Sequence, residues 1–204
     1  MSSQVDPISL TVPREMPPSE AADMVTALRV HICVDDARWR LQKSADPGSD
    51  LVIQLIGNLA AWLPLSAAAT VFLTTIAKRA GDATWDAIAN VFKTKEVRPL
   101  AEVATTLGNA LEKAGPGTQL IVGLSIPEPN WGTVLLISET DPLKIATKLA
   151  EFVSLSNKIS MAMEAEVAAG RAPLGRAQIS IEDDGAVIRW VSQRDFARHE
   201  KRIS

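Results

Sequence analysis

His31, Cys33 and Asp35 stand two residues apart near the start of the chain, with Asp36 adjacent. Imidazole, thiolate and carboxylate are the common ligands of zinc and related ions. On an extended strand alternate residues share a face. The three would line one side of a segment whose other side carries Val30, Ile32 and Val34. The spacing works against convergence: residues two apart on a strand lie roughly 7 Å from one another. That is too far for a Cys–His nucleophile pair, and shared coordination would need a ligand from another element. The one other histidine, His199, lies near the end of the chain. The segment therefore reads as a mixed edge strand. The sequence assigns no catalytic residue, no metal ligand and no cofactor.

Other polar groups have simpler roles. Asp183-Asp184 is turn chemistry. Glu164 and Glu166 near the end of a long helical pattern read as a solvated face. Gly115-Pro116-Gly117 lacks the spacing of a phosphate loop and precedes a strand.

The chain of 204 residues carries a formal charge of -3, which argues against nucleic acid as the main partner. A single cysteine rules out an intramolecular disulfide. MSSQVDPISL has neither the basic region nor the apolar core of a secretory signal. The expected location is the cytoplasm, or the cytoplasmic side of a membrane.

The elements follow from periodicity. Ile8 to Val12 alternates as a strand, a short helix runs from Ser19 to Leu28, and Val30 to Val34 gives a second strand. Residues 44–50 form a linker. From Leu51 to Ala77 no charged residue occurs. Pro64 splits this tract into two helical pieces, Leu51 to Leu63 and Ser66 to Lys78, an apolar helical hairpin. Asp82 opens a third helix and Pro99 a fourth, which Gly115 stops. Leu120 to Ile126 and Thr133 to Ile137 make a hairpin apolar on both faces. Asp141-Pro142 starts a long helix to about Ala169. A last hairpin turns at Asp184-Gly185, pairing Ile181 with Ile188 and Ile179 with Trp190.

The expected fold is α+β: a largely antiparallel mixed sheet, β-α-β, a helical insertion at about 51–114, then β-β-α-β-β. Residues 1–193 form a single domain and 194–204 a mobile charged tail. The long helix covers one face of the central strands and the apolar hairpin covers the other.

The expected function is a non-enzymatic interaction or regulatory module with a protein partner, and self-association is compatible with it. Trp39, flanked by Arg38 and Arg40, and Trp131 in the PEPNWG loop are the candidate contact residues. The alternative is membrane association through residues 51–79, where Leu51, Ile56, Leu63, Phe72 and Leu73 would meet lipid or a partner. A metal-dependent enzyme ranks third, resting on the His31 segment.

Overall fold

A computed structural model describes residues 6–40, 51–79, 90–126, 131–182 and 185–203. The strands are β1 (Ser9–Val12), β2 (Arg38–Trp39), β3 (Val52–Gly57), β4 (Gln119–Ile126), β5 (Trp131–Ile137), β6 (Arg176–Glu182), β7 (Gly185–Val191) and β8 (Arg198–Ile203). The helices are α1 (Pro18–Arg29), α2 (Leu59–Trp62), α3 (Ser66–Arg79), α4 (Arg98–Ala114) and α5 (Pro142–Ala168). A 3-10 turn, Leu63–Leu65, joins α2 to α3 and holds Pro64. The protein is α+β.

The eight described strands form one mixed sheet in the order β2-β1-β3-β4-β5-β6-β7-β8. Three parallel neighbours, β1/β2, β3/β4 and β5/β6, are each joined through helices. The other neighbours are antiparallel. The described helices form a single layer, because α4 packs against both α1 and α5, and α3 packs against α5. Strand burial agrees. Leu120, Val122 and Leu124 of β4 and Leu135 and Ile137 of β5 are buried, while Ile121, Val134 and Leu136 between them are half-buried. One topological consequence is unusual. β3 and β5 run in opposite directions, yet both crossovers step the same way along the sheet with helices on the same face. The two crossovers therefore have opposite hands, and at least one departs from the right-handed preference.

The apolar tract divides differently from the expected helical hairpin. Its first part is not helical: Val52–Gly57 is β3, between β1 and β4. Ile53 and Leu55 face the helices, and Gln54 and Ile56 face away. Asn58 then caps α2, its side-chain oxygen accepting from the Ala61 amide at 3.0 Å. The second part is a helix, and it lies in the same layer as α5 rather than on the far face. Leu65, Ala68, Ala69 and Phe72 are buried, and Phe72 meets Phe92 with ring centroids 6.1 Å apart. Of the residues expected to meet lipid or a partner, Leu51 and Ile56 are thus not helical, Phe72 points inward and Leu73 packs on the core. Leu63 alone of the five is largely exposed, at 58%.

Three further expectations change. Residues 30–34 are a turn after α1 with one bridge, Ile8 to Val34, because Val30 and His31 continue the helix end. Residues 198–203, expected in the mobile tail, are β8. The β6–β7 pair closes at Glu182–Gly185, so Ile179 faces Ile188 and Ile181 faces Ala186. That register is shifted by two residues, which preserves the faces because the side-chain period is two. Asp183 and Asp184, the linker 44–50, the third helix up to residue 89 with Trp85, and the loop 127–130 lie outside the described residues.

Burial makes Leu55 and Leu63 opposite cases, at 0% and 58% exposure. Leu55→Asp places an unpaired charge in the core and should leave no cooperative unfolding transition. Leu63→Asp should shift stability by no more than about 0.5 kcal/mol. Urea denaturation of both variants checks this.

Candidate interaction surface

The residues singled out for metal chemistry do not converge. His31 Nε2 lies 2.6 Å from Glu102 Oε2, and Arg98 Nε donates to Glu102 Oε1 at 2.8 Å. The histidine thus ties the end of α1 to α4. The hydrogen bond with His31, and then that from Arg98, hold the Glu102 carboxyl below the usual carboxylate range. Cys33 is exposed, and its carbonyl accepts from the Ile8 amide. Asp35 faces Arg38 at 3.5 Å. Among the described residues no group of three His, Cys, Asp or Glu side chains comes together to hold a metal.

The four candidate contact residues fall at separate places. Trp39 sits on β2, at one edge of the sheet, with 36% exposure, and its indole donates to the Met16 carbonyl at 3.0 Å. Arg38 precedes it, and the Arg40 amide donates to Val12. Trp131 opens β5 opposite Ile126, four strands from β2. The structure does not bring Trp39, Arg38 and Arg40 together with Trp131.

A different surface emerges from the layering. The sheet face opposite the helices is not covered by any described element. Its centre is apolar and in register: Ile121 lies between Gln54 and Leu136, and the next rung runs Ile56, Gly123, Val134 and Gln178. Gln119 and Ser125 continue β4 at either end. No charged side chain stands among these positions.

Toward β8 the same face becomes ionic. Arg189 Nε donates to Glu200 Oε2 at 2.8 Å, and its Nη1 donates to Ser180 Oγ at 3.2 Å. Arg202 meets Glu182 at 3.2 Å. Beside this network lies a cleft of about 530 Å³ whose lining includes Leu174, Arg176, Gln178, Arg189, Val191 and Arg198. The cleft is not evident in the sequence, where residues 198–203 read as part of a charged tail. The alternation was there: Arg198, Glu200 and Arg202 share one side, and His199, Lys201 and Ile203 the other.

The side of β7 and β8 facing the helices fixes this region in place. Trp190 stacks on His199 with ring centroids 5.4 Å apart, and its indole donates to the Arg171 carbonyl at 2.9 Å. Glu166 at the end of α5 is buried, contrary to the expected solvated face. It accepts from Arg171 Nε at 2.6 Å and from Lys201 Nζ at 3.5 Å. A buried carboxylate requires such partners. Glu164 is exposed, as expected.

Compared with family models, curated proteins and solved structures, the chain matches none of them.

The hydrogen bond from Arg171 holds the Glu166 carboxyl below its ordinary value, against burial, with Lys201 adding to the effect. A pKa lowered on folding adds stability above the unfolded value, about 4.3. That stability is lost as pH falls through the folded value. Glu166→Gln should therefore cost about 2 kcal/mol at pH 7. The gap in urea midpoint between wild type and variant should narrow as the pH is taken below 4.3.

Proposed function

We propose that the protein is a non-enzymatic binding module that docks another protein on its open sheet face. The observation carrying this reading is the uncharged apolar centre formed by Ile56, Ile121, Val134 and Leu136, with no described element over it. A half-buried aliphatic patch framed by Gln54, Gln119 and Gln178 suits a partner with a flat, apolar, uncharged contact surface. Such a patch excludes water on docking, and its amide rim can hydrogen-bond around it. The patch itself carries no arginine or lysine to hold a phosphate backbone, which favours protein over nucleic acid as its occupant. The sheet supplies rigidity, so the partner meets a preformed surface.

A second reading keeps the membrane alternative. The stretch Leu59–Ala77 is long and apolar enough to cross a bilayer, with 33% of its window buried. Leu63 and Val71 on its outer side are exposed. The exposed side also carries Thr70 and Thr74, and both hydroxyls donate to carbonyls four residues back. Buried Leu65 and Phe72 tie the helix to the protein's own core. The docking reading is therefore preferred.

Photo-crosslinking in cells separates these readings. A photoreactive residue at Gln119 or Gln178 should yield one discrete heteromeric band, and the same residue at exposed Glu112 on α4 should yield none. A band at twice the chain mass would make the partner a second copy and overturn the assignment. Flotation of the purified protein with liposomes would turn preference to the membrane reading.

A further inference from the structure

We propose that the cleft on the outer side of β6, β7 and β8 binds the phosphoryl group of a small phosphate ester, held between Arg176 and Arg198. This goes beyond the docking reading and does not depend on it.

The geometry starts from the register. Gln178 of β6 faces Arg189 of β7, and Arg189 faces Glu200 of β8. Arg176 lies two residues before Gln178, and Arg198 two residues before Glu200, opposite Val191. Side chains two apart on a strand share a face, so both arginines rise from the outer face at the same end of the three strands. Their strands flank β7, which sets their backbones about 10 Å apart. Two arginine side chains can close that span on one tetrahedral anion.

The charges are unbalanced there. Arg189 is engaged by Glu200 and Ser180. Arg176 and Arg198 have no ion-pair partner among the described residues. Partial burial of the Arg176 guanidinium lowers its pKa from the ordinary arginine value, although the residue as a whole is exposed. An anion between the two arginines would offset that cost and their mutual repulsion.

Charge and size then choose the ligand. The lining holds three arginines and one glutamate, leaving two positive charges in excess. A phosphate monoester dianion balances this, whereas one carboxylate leaves a charge over. The guanidinium fork matches phosphoryl oxygens bidentately. A cleft of about 530 Å³ falls in the small-molecule range. Leu174 and Val191 beside the arginines offer apolar contact to the ester group.

Titration of the full-length protein with inorganic phosphate, phenyl phosphate and benzoate at constant ionic strength tests this. The readouts are calorimetry and the amide resonances of Val191 and Arg198. Phenyl phosphate should bind saturably, at least tenfold more tightly than benzoate. Equal binding of inorganic phosphate would assign the site to the phosphoryl group alone, and tighter binding of phenyl phosphate would extend it to the ester; both support it. Arg176→Gln and Arg198→Gln should each weaken binding tenfold or more with unchanged melting. Arg14→Gln, which removes a distant charge, should leave it unaltered. Absence of saturable phosphate binding, benzoate binding as tightly, or affinity unchanged in both cleft variants would overturn the proposal.

Discussion

Trp62 is the contact on which the arrangement turns. It is fully buried, it meets Phe152 of α5 edge to face with ring centroids 5.5 Å apart, and its indole donates to the Gly123 carbonyl at 3.1 Å. One side chain thus joins the turn after β3, the longest helix and the middle of the sheet. The sheet is tightly drawn at this point: a Cβ at Gly123 would come within 2.5 Å of the Thr133 carbonyl oxygen and 2.6 Å of Ile56 Cδ1. Only glycine fits without moving backbone. Aromatic edge-to-face packing and a buried N–H donor finding its acceptor reinforce one another, because the desolvated indole would otherwise go unsatisfied.

From that anchor the chain has little freedom. Leu63–Leu65 turns directly into α3, which must then lie beside α5 in the helical layer. α5 runs 27 residues, about 40 Å long. It carries a buried stripe through Ile145, Leu149, Phe152, Ile159 and Met163 that serves α3, α4 and the sheet together. Once α1, α3, α4 and α5 share a layer, no described helix covers the opposite face. The open apolar centre is therefore a consequence of where Trp62 directs the chain.

Periodicity made much of this architecture legible. Leu100, Val103, Leu107 and Leu111 gave α4, and Asp141 gave the start of α5, where its Oδ1 accepts from the Leu143 amide at 2.8 Å. The β4–β5 hairpin and the alternation of β6 and β7 were equally plain. The first seven residues of the apolar tract misled, because a central strand buried on one face and half-buried on the other lacks clean alternation, and helix and strand then look alike. Gly57-Asn58 was the available signal: asparagine at a helix start marks the boundary between strand and helix. The candidate surface was less legible still. Arg176, Arg189 and Arg198 are scattered in sequence, and only the register of three strands brings them to one cleft. Glu166 misled for a similar reason, since its partners Arg171 and Lys201 come from a loop and from β8.

The two edges of the sheet separate charges that guard a strand edge from charges that do not. β2 is protected by brevity, with two residues. β8 is six residues long, and an exposed strand of that length invites pairing with another chain unless it is charged. Lys201, on the side of β8 that faces the helices, meets that need, and Glu166 satisfies its charge. Arg202 and Glu200 on the other side are likewise matched, by Glu182 and Arg189. Edge protection is then complete without Arg198, and it gives no account of Arg176, which lies on β6 two strands inside the edge. An interior strand position gains nothing from repelling other strands. Among the described residues no carboxylate pairs with the arginine there, so edge protection leaves it to the proposed anion.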